Sequence, residues 1–150
     1  MVKMAIGRRR GRILAFQALF AWDVGSLPPD DLLLFPWIEH TGKELHDDDF
    51  LFSRLLFLGT VEHVDEIDGF IIKNLKNWDF NRLKLVDKAI LRLGTYSLLF
   101  QRDTDPKIVI NEAVSIARTY GTDDSFKFVN AVLDSIKREC LDCSHEKDKS

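Results

Sequence analysis

Residues 83–101 read Leu83-Lys84-Leu85-Val86-Asp87-Lys88-Ala89-Ile90-Leu91-Arg92-Leu93-Gly94-Thr95-Tyr96-Ser97-Leu98-Leu99-Phe100-Gln101. Val86, Ala89, Ile90, Leu93, Ser97 and Phe100 recur at intervals of three and four, the period of one helical face. The spacing predicts a helix across the stretch. Gly94 lies in its interior, where glycine costs ~1 kcal/mol relative to alanine. A missing side chain at that point predicts a close crossing with another helix.

The flanking sequence keeps the same period. Asp105-Pro106 is a strong helix start, with Asp as cap and Pro at the first helical position. Val109, Ala113, Ile116, Ala117 and Tyr120 form its inward stripe, and Gly121 ends it. Thr122 is expected to cap a last helix that turns Val129, Val132, Leu133 and Ile136 inward. Phe126 and Phe128 lie two apart and cannot share a helix face, so one is expected buried and the other exposed. On the N-terminal side a helix is predicted over about 61–77, with Val64, Ile67, Ile71, Ile72 and Leu75 on one face. Trp78-Asp79-Phe80 then forms a turn whose aromatics are expected to pack inward. Asp47-Asp48-Asp49 opens an earlier helix that runs to about Leu58 and is broken by Gly59-Thr60. Asp30 to His40 reads as a short or broken helix because Pro36 sits inside it. The first helix is predicted from about Arg9 to Asp23, with Gly25 as its stop.

No period-2 stretch bounded by hairpin turns competes with this pattern. The fold class expected is all-α, with six or seven helices in two small packed sub-bundles. The 150 residues make one domain, with 1–8 and 141–150 expected to be mobile. Hydrophobic residues at 45% and charged residues at 30% fit a soluble globular chain with a real core. No apolar run approaches the ~20 residues a bilayer requires, so no membrane partner is expected. Basic residues ahead of Ile13 to Trp22 mimic an export signal, but Gln17 interrupts the apolar run and no A-x-A site follows. A cytoplasmic location is therefore expected.

Catalytic chemistry finds little support. His40, His46, His63 and His145 sit in unrelated settings, and none of Ser53, Ser97, Ser115 or Ser125 lies in a G-x-S-x-G turn. No Gly-rich loop cradles a phosphate. Cys140 and Cys143, with His145 nearby, give at most half a zinc site, and no matching second pair exists. They read as two reduced thiols. No cofactor and no metal are expected, and the chain reads as a binder and not an enzyme.

The charge distribution says what it binds. Lys3, Arg8, Arg9, Arg10 and Arg12 place five positive charges in the first twelve residues. The chain carries −3 overall, so the remainder sums to −8. Concentrated positive charge on an otherwise acidic body suits a local contact with phosphates through guanidinium forks. The alternative is a solvated tail whose charges aid solubility. At the start of the last helix, Lys127 favours a phosphate while Asp123 and Asp124 oppose one.

Three blocks resemble a known family. Arg8-Arg9-Arg10-Gly11-Arg12 with Gln17-Ala18-Leu19-Phe20-Ala21-Trp22 is similar to the N-terminal signature of the NusB family of bacterial transcription antitermination factors. Val86 to Tyr96 is similar to the family's central helix, and Pro106 to Asn130 to its C-terminal helix pair. The resemblance spans about Arg8 to Glu139, with Gly25 to Asp49 matching poorly. It implies binding of the boxA element of nascent ribosomal RNA as a single strand, together with the ribosomal protein NusE, within the RNA polymerase antitermination complex. It implies RNA contacts at Arg8, Arg9, Arg10, Arg12, Asp124, Lys127 and Phe128, and partner contacts at Phe20, Asp87 and Arg92. Phe20 and Phe126 stand where the family commonly has Tyr and His. Four arginine–phosphate contacts would give a slope near −3 in log K against log salt, at ~−0.7 per contact for single strands. A homodimer is a further expectation, because some members pair and mask their RNA surface. The rival reading is a helical scaffold that self-associates without RNA preference. A similar domain also fronts some ribosomal RNA cytosine methyltransferases, but this sequence holds no Rossmann-like unit.

Overall fold

The computed structural model describes residues 2–25, 27–33 and 47–148, with side chains described for 8–25, 27–33 and 50–140. Among these residues there are seven α-helices and no strand. They are α1 (Val2–Val24), α2 (Pro29–Leu32), α3 (Asp47–Glu62), α4 (Val64–Asn74), α5 (Leu85–Phe100), α6 (Pro106–Tyr120) and α7 (Ser125–Asp148), with a 3-10 turn at Phe80–Arg82.

The stretch that carried the clearest helical period is the axis of the molecule. Every residue of α5 from Asp87 to Leu98 is buried. The cause is its surroundings: α1, α3, α4, α6 and α7 all pack against it. α1 with α2 and α3 makes one sub-bundle, and α4, α6 and α7 make the other, with α5 shared between them. Leu19, Phe57, Ile67, Ile71, Ile90, Leu91, Leu133 and Ile136 form its fully buried centre. The crossing expected at Gly94 is real, because a Cβ there would stand 2.8 Å from Leu133 Cδ1 on α7.

Several local expectations hold. α1 stops at Gly25, whose N–H donates to the carbonyls of Ala21 (3.1 Å) and Trp22 (3.0 Å). Asp105 caps α6, its carboxylate accepting from the Lys107 N–H at 2.9 Å, with Pro106 at the first helical position.

Others are corrected. Gly59-Thr60 does not break α3, which continues to Glu62. Thr60 turns its hydroxyl back to the Leu56 carbonyl at 2.6 Å, and Gly59 leaves room for the ring of Tyr96, whose Oη a Cβ there would strike. Gly59 is thus a packing glycine. The break falls at His63 instead, and α4 ends at Asn74, short of the expected Asn77. The Asn74 side chain explains the stop: its Nδ2 donates to the Phe70 carbonyl and to Glu139 Oε2, both at 2.8 Å, and its Oδ1 accepts from Ser135 at 2.6 Å. Those bonds tie the end of α4 to α7. Trp78 does not pack inward but is 63% exposed, whereas Phe80 packs against the core. α1 starts at Val2, and α7 extends to Asp148, beyond the expected limits. No proline interrupts either extension, and their Ala, Leu, Glu and Lys residues favour helix. The structures of Phe35, Pro36 and Trp37 lie outside the described residues, as do the side chains of Asp47, Asp48, Asp49, Cys143 and His145.

Candidate nucleic-acid interface

The arginine run forms the second turn of α1 onward, and helical geometry distributes it. Residues four apart share a face, so Arg8 and Arg12 both lie over the Phe52 ring of α3, at 5.2 and 5.5 Å from its centroid. Arg9 points to α6, where its Nε approaches Glu112 Oε2 at 3.3 Å. The four arginines then differ in access. Arg8 and Arg9 are exposed, Arg10 is half-buried, and Arg12 is buried.

Arg12 therefore departs from the expectation of a surface phosphate contact. It is only 7% exposed, and its Nε finds no hydrogen-bond partner among the described residues. It lines a small cleft with Gly94, Ser97 and Glu112. Burial pulls its guanidinium below the usual arginine range; Glu112 opposes the fall, and Arg8 and Arg9 add to it. Its position on the inner face of α1 is the physical reason. Glu112 thus faces two cations, and sequence reasoning missed it as a site residue. The available signal was a carboxylate beside the buried stripe of Val109, Ala113 and Ile116, a place that calls for a cationic partner.

The second candidate region, at the start of α7, is reached by following α6 from Glu112. Arg9 meets Glu112, and the Phe16 ring lies 5.3 Å from Tyr120, so α1 and α6 run in the same direction. Eight residues separate Glu112 from Tyr120, or about 12 Å of helix. The α6–α7 turn follows. There Ser125, buried, accepts from the Thr122 N–H at 3.0 Å, and Lys84 Nζ donates to Thr122 Oγ1 at 2.8 Å. Ser125 thus pins the turn, and Thr122 is not the helix cap expected of it. Asp124 and Lys127 are exposed. Phe126 and Phe128 are both half-buried, correcting the expectation of one in and one out. Phe126 lies under the Arg118 guanidinium at 4.7 Å, and Phe128 meets the Trp78 ring edge-to-face at 5.6 Å.

The residues expected to face a protein partner are also placed differently. Phe20 is half-buried against the core. Asp87 and Arg92 are buried, at 6% and 7% exposure, and so are not surface side chains. Arg92 forks onto Asp68 of α4, with Nε to Oδ1 and Nη2 to Oδ2 both at 2.9 Å, and its Nη1 lies 3.5 Å from Asp23 Oδ2 at the end of α1. The rings of Trp22 and Phe80 lie 5.6 Å from its guanidinium carbon. Burial lowers its proton affinity, yet the hydrogen bonds and charge of Asp68, with those of Asp23, raise it on balance. Arg92 is a clasp joining α1, α4 and α5. Asp87 keeps a buried Oδ1 without a hydrogen-bond partner among the described residues. No group of His, Cys, Asp and Glu among the described residues could hold a metal ion, and no helix is long and apolar enough to cross a membrane.

An arginine-bearing α1 against a buried central helix, with a polar turn opening α7, can be compared with known proteins. The profile of the NusB family matches residues 9–138. The chain belongs to the NusB family. The transcription antitermination protein NusB of Treponema pallidum strain Nichols is 61% identical over 133 residues, covering 89% of this chain and 94% of that protein. NusB of Treponema denticola is 57% identical over 136 residues, covering 91% and 99%. Among solved structures, T. maritima NusB superposes with a TM-score of 0.78 at 37% identity, covering 88% of this chain and 91% of that one. A structure of the antitermination factors NusB and NusE in complex with dsRNA gives a TM-score of 0.79 at 30% identity, covering 89% and 97%.

Proposed function

We propose that this protein is a non-catalytic transcription antitermination factor that binds boxA-like RNA of nascent ribosomal transcripts together with NusE. The observation that carries the reading is the exposed cationic edge of α1, Arg8 and Arg9 with half-buried Arg10, on a chain of net negative charge. Such an edge supplies phosphate affinity without repelling the polyanion from the acidic body. A NusB relative of the same fold has been crystallised with NusE and dsRNA, which supports both partners.

Each residue takes a role from its placement. Arg8, Arg9 and Arg10 neutralise phosphates, while buried Arg12 lies behind them in the cleft with Glu112. Lys127 adds a phosphate contact at the α7 start, Phe128 offers ring surface, and Asp124 opposes one phosphate and so limits affinity. On the partner side, half-buried Phe20 offers a ring edge, while Asp87 and Arg92, both buried, act from inside by positioning the elements around it.

The test is fluorescence anisotropy with a boxA-like oligonucleotide and a scrambled control, as single strand and as duplex, with and without NusE. Arg8, Arg9, Arg10 and Lys127 as the four phosphate contacts give an expected salt slope near −3, at ~−0.7 per contact. Arg8→Ala, Arg9→Ala and Arg10→Ala should each reduce the slope by ~0.7. A slope near zero, or equal affinity for the scrambled RNA in the presence of NusE, would overturn the reading.

A further inference from the structure

Trp78 is a large apolar side chain in an unexpected place. It is 63% exposed, the most exposed aromatic ring among the described large hydrophobics. Nothing about the turn lets it relax inward. Asn77 before it adopts φ +68°, a left-handed conformation uncommon outside glycine, and this sets the direction of the chain. Asp79 after it accepts from the Asn81 N–H at 3.0 Å and starts the 3-10 turn. Phe80, two residues on, is anchored under Lys88 at 4.6 Å and beside Arg92. The indole is held out on a braced turn.

Its neighbours point to a ligand. The indole packs against Phe128, the ring at the start of α7, at 5.6 Å and 61°. Exposed Lys127, whose Nζ lies 5.8 Å from the Phe126 ring, precedes Phe128 in sequence, and exposed Lys76, Arg82 and Lys84 flank the turn in sequence, with Lys84 held at Thr122. Against them stand exposed Asp79, Asp123 and Asp124. Aromatic surface among cations is what an unpaired nucleobase requires, a π-face for the base and positive charge for its phosphate. We propose that Trp78, braced edge-on by Phe128, is a stacking platform for an unpaired base of the bound RNA, extending the RNA track from the α7 start onto the 78–82 turn. The inference rests on the RNA-binding reading above.

The experiment uses the full chain with NusE and a boxA-like RNA that carries 2-aminopurine at each position in turn. At one position the fluorescence should be quenched on binding by the unaltered protein and not by Trp78→Ala. Trp78→Ala should weaken RNA binding about tenfold, within the range of lost base stacking, and Trp78→Phe should restore most of it. Because no charge is removed, the slope of log K against log salt should stay as in the unaltered protein, unlike the arginine variants. The melting temperature should change little, since the side chain is exposed. Affinity of Trp78→Ala within twofold of the unaltered protein, or a loss confined to NusE binding, would overturn the platform while leaving the arginine-dependent function standing. No RNA binding by the unaltered protein would overturn both.

Discussion

Replacing Arg92 by Met keeps most of its aliphatic volume and removes the fork. Two charge-assisted hydrogen bonds of 2.9 Å to Asp68 and the 3.5 Å contact with Asp23 are lost, and both carboxylates stay behind. Removing one partner of a fully buried pair costs roughly 3–5 kcal/mol. The Asp68 and Asp23 side chains are 19% and 21% exposed, so water partly re-solvates them. The expected loss is therefore about 2–3 kcal/mol by comparison with that range. For a chain of this size it lowers the melting temperature by about 5–10 °C. Urea unfolding at pH 7 should show the loss in the midpoint, with the slope little changed. Adding Asp68→Asn should recover at least ~1 kcal/mol relative to additivity, because the orphaned charge is gone. Stability of Arg92→Met within about 0.5 kcal/mol of the unaltered protein would refute the clasp, since surface substitutions fall in that range. The same reasoning makes Arg92→Glu a poor probe of partner binding alone, because it disrupts the fold that presents the partner face.

Three further outcomes are expected. Glu112→Gln removes a negative charge beside the phosphate track and releases Arg9; at about 7 Å in water the relief is about 0.6 kcal/mol, so RNA affinity should rise about threefold in anisotropy titrations, and weaker binding would contradict the arrangement. Gly59→Ala should destabilise by about 1–2 kcal/mol, because overpacking against the buried Tyr96 ring outweighs the ~1 kcal/mol gained in helix propensity. Thermal melts should show a smaller loss in a Tyr96→Leu background, and an equal loss there would place the strain elsewhere. Glu139 has its pKa held below 4.5 by hydrogen bonds from Lys73 and Asn74 and by the Lys73 charge, against the pull of burial. Its contribution, of order 0.2–1 kcal/mol, is present above pH 4.5 and fades as pH falls through the lower folded value. Glu139→Gln should thus lose stability at pH 7 and converge on the unaltered protein in strong acid, and a constant gap at all pH values would refute this.

The sequence by itself determined the all-α class and where charge concentrates along the chain. Period, caps and stops are local properties, so α5, the Asp105-Pro106 start and the Gly25 stop were legible from neighbouring residues. So was the concentration of arginine on an acidic chain, because charge is a sum over residues. Tertiary structure decided which charges reach solvent. Arg8 and Arg12 are identical letters four positions apart, yet one is exposed and the other is inside. Asp87 and Arg92 are partner contacts by family resemblance, whereas five neighbouring helices cover α5 all round and bury both side chains. Gly59 reads as a stop until Tyr96 is seen to occupy the space it leaves, and Trp78 reads as core until the turn at Asn77 aims it outward. In each case the deciding term is contact between residues distant in the chain, which a local pattern does not encode.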